Sequence, residues 1–164
     1  MRIAVLNGPN LNLLGTREPA LYGTDTLADV EARLREVARE LGVEVECLQR
    51  NGEGELIDAV HALRGHAAGA VVNAGAYSHT SLALRDAFAA VDVPFVEVHV
   101  TNVYAREAER RHSALAPGAR AVLCGFGTFG YELALRGLVR SLQASSAATR
   151  DASAPAGARI GARG

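Results

Sequence analysis

The sequence predicts an α/β domain in which five parallel strands, in the order 2-1-3-4-5, lie between two layers of helices. Short apolar runs closed by Gly, Pro or Asn alternate along the chain with longer stretches of helical period. Most of these runs are apolar at every position, as strands covered on both faces must be. Right-handed crossovers and a count of five then favour the doubly wound order over other parallel arrangements.

The elements follow in order. Arg2 to Asn7 is a buried strand closed by Gly8-Pro9. Gly8 to Asp25 holds two prolines and three glycines without a period, so it reads as a long loop of the kind that forms lids. Thr26 to Leu41 is the clearest helix. Thr26 caps it with Asp29 three residues on, Leu27, Val30, Leu34, Val37, Ala38 and Leu41 form one stripe, and Gly42 ends it. Val43 to Arg50 alternates apolar and charged residues, a strand with one wetted face. Glu55 to Arg64 is a second helix ended by Gly65, Ala70 to Asn73 a third strand, and Thr80 to Val91 a third helix. Pro94 to Val100 is the fourth strand, 101–119 loop with a helical turn, Arg120 to Cys124 the fifth strand, and Phe129 to Gln143 the last helix. From Ala144 the chain turns to Ala, Ser, Gly and Arg, which reads as a disordered tail on a single domain spanning 1–143. The whole is a flavodoxin-like three-layer sandwich, whose ligands bind beyond the carboxyl ends of the strands.

Composition narrows the chemistry. The 164 residues carry a net charge of -1, which offers no general attraction to nucleic acid or anionic membranes. No apolar run approaches the roughly 20 residues of a membrane span, and Met1 to Leu6 is too short for a leader's core, so the cytoplasm is the expected location. Cys47 and Cys124 stand in strand-like runs without a ligand spacing and read as small buried hydrophobes rather than a disulfide or metal pair. His61, His66 and His112 fit no ligand spacing either, and no metal site is expected. All 17 basic residues are arginine. A chain without lysine cannot form a Schiff base, hold pyridoxal phosphate or build a Walker-type nucleotide site.

Three predicted strand ends carry polar residues: Asn10 after the first, Asn73 and His79 after the third, Glu97 and His99 on the fourth. Such residues are common turn formers, but here they can meet in one crevice. The blocks around them are specific. Asn7-Gly8-Pro9-Asn10-Leu11-Asn12-Leu13-Leu14-Gly15, with Arg17-Glu18-Pro19 and Tyr22-Gly23, resembles the opening signature of the type II 3-dehydroquinate dehydratases. Asn73-Ala74-Gly75-Ala76-Tyr77-Ser78-His79-Thr80-Ser81, Glu97-Val98-His99-Val100-Thr101-Asn102 with Arg110-Arg111-His112-Ser113, and Gly125-Phe126-Gly127 with Gly130-Tyr131 are similar to that family's later motifs, in the same order. The resemblance covers about 1–143. Two departures stand out: Gly52 where the family often has His, and Glu109 where an aromatic residue is common.

The resemblance implies a cofactor-free hydro-lyase of the shikimate pathway, on the way to chorismate and the aromatic amino acids. It would dehydrate 3-dehydroquinate to 3-dehydroshikimate by anti elimination through an enolate. It assigns Tyr22 as the base, with Arg17 favouring the phenolate, and Asn10 as holder of the enolate oxygen. Read without the family, Tyr22 is a loop tyrosine packed on Pro19. His99 is the expected general acid, and Glu97, two residues earlier on the strand, shares its face and orients the ring. The resemblance further implies that Asn73, His79 and Arg110 bind ring hydroxyls and that the amides of Val100 and Thr101 hold the carboxylate. Asp86 would reach a neighbouring subunit's site within a dodecamer of trimers.

Two rivals compete. Gly125-Phe126-Gly127-Thr128-Phe129-Gly130 is a formal dinucleotide-binding fingerprint, though it lies in the last unit with no acidic partner on a following strand. A non-catalytic sensor of small anions is the other.

Overall fold

The structure is a computed structural model that describes residues 1–16 and 23–153, the last five by their backbone alone. Strands β1 (Arg2–Asn7), β2 (Glu44–Gln49), β3 (Gly69–Asn73), β4 (Phe95–His99) and β5 (Ala121–Cys124) form one parallel sheet in the order β2-β1-β3-β4-β5. The expected topology is the observed one. Asn7 sits opposite Asn73, and His99 opposite Cys124, so the ends of the central strands share one edge.

The two-residue period of the strands builds two cores. Ala4, Leu6, Ala70 and Val72 pack on one side against α2 (Glu53–His61) and α4 (Leu82–Val91). Ile3, Val5, Val71, Val96 and Val98 pack on the other against α1 (Leu27–Leu41) and α5 (Phe129–Ser153). In α1 the buried stripe is Val30, Leu34, Val37 and Ala38, and complete burial of a side chain such as Leu34 contributes roughly 1.5–3 kcal/mol. Thr26 and Asp29 form the reciprocal cap, and Gly42 closes the helix at φ 65°.

Beyond shifts of a residue at strand ends, three helices differ from the sequence expectation. Helix α2 begins at Glu53 rather than Glu55, because the Gly52 N–H donates to the Glu55 carboxylate at 3.1 Å and starts the first turn early. It also ends at His61, with turns to His66. The third predicted helix is two pieces, α3 (Tyr77–Thr80) and α4: Ser81 is extended, and its hydroxyl accepts the Leu84 N–H at 2.9 Å to cap the second piece. Helix α5 runs through 144–153, which the sequence reading had placed in a disordered tail. That stretch contains neither Gly nor Pro and is rich in Ala, the strongest helix former, so the helix continues without an apolar stripe. The rest of the tail lies outside the described residues.

Both cysteines are free thiols and partly buried. Burial pushes the Cys47 thiol up to about 12, consistent with an inert packing role. His61, His66 and His112 are exposed, as expected. Among the described residues no helix is long and apolar enough to cross a membrane.

Candidate active site

The ends of β1, β3 and β4 open into one cleft. Asn10, Asn73, His79, His99, Val100, Thr101 and Arg110 line it, with Pro9, Leu11, Leu14 and Val103 as its apolar wall. The first two loops meet closely: a Cβ on Gly8 would stand 2.4 Å from the Ala74 carbonyl oxygen, so only glycine fits there. Asn10 follows in the left-handed region at φ 67°, a conformation Asn tolerates, and its N–H donates to Asn51 Oδ1 at 3.0 Å.

Asn73 is held from two sides. Its Oδ1 accepts the Gly75 N–H at 3.2 Å, and its Nδ2 donates to the Tyr131 hydroxyl at 2.9 Å. That hydroxyl donates in turn to Asn7 Oδ1 at 2.7 Å, and Tyr131 is completely buried. The network joins β1, β3 and α5 beneath the cleft.

His99 stands at the base of the cleft with Glu97 behind it. Nε2 lies 2.8 Å from Glu97 Oε1, and Glu97 is fully buried. Both come from β4, two residues apart and on one face, as the sequence required. With Nε2–H given to the carboxylate, Nδ1 is the ring nitrogen left for a substrate. The His79 ring stacks on that of His99, centroids 5.8 Å apart. Its Nδ1 is 2.6 Å from the His112 carbonyl, which can only accept, so the proton sits on Nδ1 and Nε2 is left as an acceptor. Burial pushes the His79 pKa below its ordinary value, with His99 and Arg110 acting in the same direction against the His112 bond. The neutral, accepting ring is therefore the favoured form.

Arg106 and Arg110 form a cationic wall. Arg110 Nε donates to Glu107, and Arg106 Nε to the other oxygen of the same carboxylate at 3.3 Å. Glu107 is held well down, at about 2, chiefly by a hydrogen bond to its own backbone N–H and then by Arg110. Among the described residues both guanidiniums bond this one carboxylate, and planar guanidiniums of this kind suit recognition of an anion.

The expected residues thus divide into three groups. Asn10, Asn73, His79, His99, Val100, Thr101 and Arg110 converge, and Glu97 supports His99. Asp86 is exposed on α4 beside Arg85 and does not line this cleft. Arg17 and Tyr22 lie outside the described residues. The sequence assigns no role to Asn7, Ser113 or Tyr131. An Asn closing an all-apolar strand was the one available signal for the network under Asn73; nothing local marked Ser113.

The formal dinucleotide fingerprint is otherwise engaged. The Gly125 N–H donates to the His99 carbonyl at 3.2 Å and the Gly127 N–H to the Val100 carbonyl at 3.0 Å. Those amides brace β4 rather than face a phosphate. No group of three or more His, Cys, Asp or Glu side chains among the described residues is placed to hold a metal.

The model of the family Dehydroquinase class II matches residues 1–139. The chain belongs to this family. This dehydroquinase is 63% identical over 143 residues to the 3-dehydroquinate dehydratase of Gemmatimonas aurantiaca, covering 87% of this chain and 94% of that one. It is 58% identical over 140 residues to the catabolic 3-dehydroquinase 2 of Aspergillus flavus, covering 85% and 93%. Its fold superposes on the crystal structure of type II dehydroquinase from Propionibacterium acnes with a TM-score of 0.81 at 42% identity, over 85% of this chain and 96% of that one. Both departures of this dehydroquinase from its family's pattern lie off the cleft lining: Gly52 precedes α2, and Glu109 is exposed.

Proposed function

We propose that this dehydroquinase, within residues 1–143, removes water from 3-dehydroquinate by anti elimination through an enolate, with Tyr22 as base and His99 as acid. The dehydration to 3-dehydroshikimate, a hydro-lyase step of the shikimate pathway, is its family's reaction. The side-chain roles are our reading.

The proton to be removed lies next to a ketone. Without a lysine there is no iminium to accept the electrons, so the carbonyl oxygen must carry the charge as an enolate. Asn10 holds that oxygen in our reading, which its position on the cleft wall supports. A free phenol has a pKa of about 10, and a guanidinium beside it lowers such a value by roughly 1 to 3 units. Arg17, five residues before Tyr22, supplies that charge in our reading. As the enolate collapses, the departing hydroxyl takes the proton from His99 Nδ1 and leaves as water. Tyr22 then loses its proton and His99 regains one through solvent, which restores both groups.

The remaining contacts position the ring. Neutral His79 accepts a hydrogen bond from a substrate hydroxyl through Nε2, and Asn73 and Arg110 hold others. The Val100 and Thr101 amides hold the carboxylate, beside the Arg106 and Arg110 wall. Asp86 completes the site of a neighbouring subunit in a dodecamer of trimers; that it is exposed and does not line its own cleft supports that role. The cytoplasm is the location that suits the chain.

The observation that carries the reading is the buried carboxylate behind His99, which fixes one ring nitrogen and leaves the other to the cleft. The test follows the ultraviolet absorbance of the conjugated enone formed from 3-dehydroquinate, with metal-stripped protein. Wild type should turn over, and Tyr22→Phe and His99→Ala should each lose at least about a hundredfold in kcat. Near-normal turnover in Tyr22→Phe would remove the base. Binding without any turnover by wild type would leave a sensor instead.

A further inference from the structure

A completely buried carboxylate needs hydrogen-bond donors in place of water. The described residues give Glu97 two side-chain donors: His99 through Nε2, and the Ser113 hydroxyl, 2.7 Å from Oε1 and 2.9 Å from Oε2. Ser113 Oγ itself accepts the backbone N–H of Leu115 at 3.1 Å and of Ala116 at 3.0 Å. Both lone pairs of the hydroxyl are then occupied, and its one proton must point at Glu97. A serine that merely closed a turn would need only to accept.

We propose that Ser113 is a positioning residue of the reaction: it holds the Glu97 carboxylate turned toward His99, so that Glu97 accepts the Nε2–H and Nδ1 faces the cleft as the nitrogen that transfers the proton. This rests on His99 being the acid. The donated hydrogen bond, shared between Oε1 and Oε2, fixes the rotation of the carboxylate. Without it the carboxylate can turn away from the ring, and His99 loses the partner that fixes its Nε2–H and its orientation.

The neighbouring residue acts on the other ring. The His112 carbonyl fixes His79 Nδ1–H and makes its Nε2 an acceptor, while the Ala114 N–H donates to the Ser78 carbonyl at 2.7 Å and ties the segment down. Two adjacent residues thus set two stacked imidazoles to opposite tasks, His79 to accept and His99 to donate. The titratable and charged groups facing the Glu97–His99 pair are His79, Arg110 and, on the same cleft wall, Arg106.

The experiment compares full-length Ser113→Ala, Ser113→Thr, Glu97→Gln and the double variant Ser113→Ala/Glu97→Gln in steady-state turnover of 3-dehydroquinate. Ser113→Ala should lower kcat by about tenfold to a hundredfold, the size of a lost charge-assisted hydrogen bond, with KM within about twofold. Ser113→Thr, which keeps the hydroxyl, should recover most of that loss. In the Glu97→Gln background, removal of Ser113 should add less than about twofold, because its action runs through that carboxylate. Multiplying losses in the double variant, an effect on KM alone, or no rescue by a folded Thr variant would each overturn the assignment. If alanine unfolds the protein, Ser113→Cys replaces it, and an undiminished kcat in folded Ser113→Cys would likewise overturn it. Failure of the underlying reading shows separately, as full activity in His99→Ala.

Discussion

The Tyr131 hydroxyl stands between two amides, accepting from Asn73 Nδ2 at 2.9 Å and donating to Asn7 Oδ1 at 2.7 Å, so one buried phenol orients the ends of both central strands. Tyr131→Phe keeps the ring and leaves two buried amide groups without that partner. It should destabilise the fold by about 2 kcal/mol or more and raise KM by about tenfold, as Asn73 loses its fixed rotation. Urea denaturation and steady-state kinetics measure the two effects. Burial also pushes this phenol above its ordinary range, so the folded state holds the proton more tightly than the unfolded chain. The stability it contributes is complete below a pH of about 10 and falls as pH rises toward the folded value. The Phe variant should lack that alkaline slope.

His79 gives the opposite sign. Its pKa lies below the ordinary 6.5, first because of burial, so the unfolded chain binds the proton more readily. Its part of the stability is present above pH 6.5 and declines as pH falls from there through the lower folded value. Substrate binding should follow, because a protonated ring has no acceptor for a hydroxyl. The KM of wild type should rise below that pH, and His79→Ala should raise KM by about tenfold while removing this rise. A KM profile identical in the two proteins would contradict the assignment.

At Gly8, a single methyl group should separate two loops. The added Cβ of Gly8→Ala would meet the Ala74 carbonyl oxygen at 2.4 Å, and backbone cannot yield as a side chain can. A loss of about 1–3 kcal/mol is expected, with activity falling further than stability because Asn10 and Asn73 move apart. Thermal melting and turnover together check it.

Cys47, with its thiol pushed up to about 12, should resist alkylation in the native protein. At pH 8 only on the order of one thiol in ten thousand is ionised, so iodoacetamide should label it readily only after unfolding. Mass spectrometry of labelled native and denatured protein distinguishes the cases.

The sequence made the sheet order and the cleft readable because both rest on periodicity. All-apolar runs mark strands covered on two sides, and residues that close such runs must stand at one edge. Asn10, Asn73, His79, His99 and Glu97 could all be placed that way. The support beneath them could not. Tyr131 and Asn7 are 124 residues apart, and nothing in either neighbourhood announces the bond. Ser113 lies in a loop without a period, and its meaning comes only from Glu97 across the fold. Helix α5 was underestimated for a different reason: apolar stripes reveal helices that pack, whereas 144–153 continue on backbone preference alone.

The glycine loop after β5 has a mechanical consequence. By donating to the carbonyls of His99 and Val100, the amides of Gly125 and Gly127 make the outermost strand a buttress for the residue proposed to deliver the proton. Damage at the rim of the sheet would therefore reach the proposed acid without touching any side chain of the cleft lining.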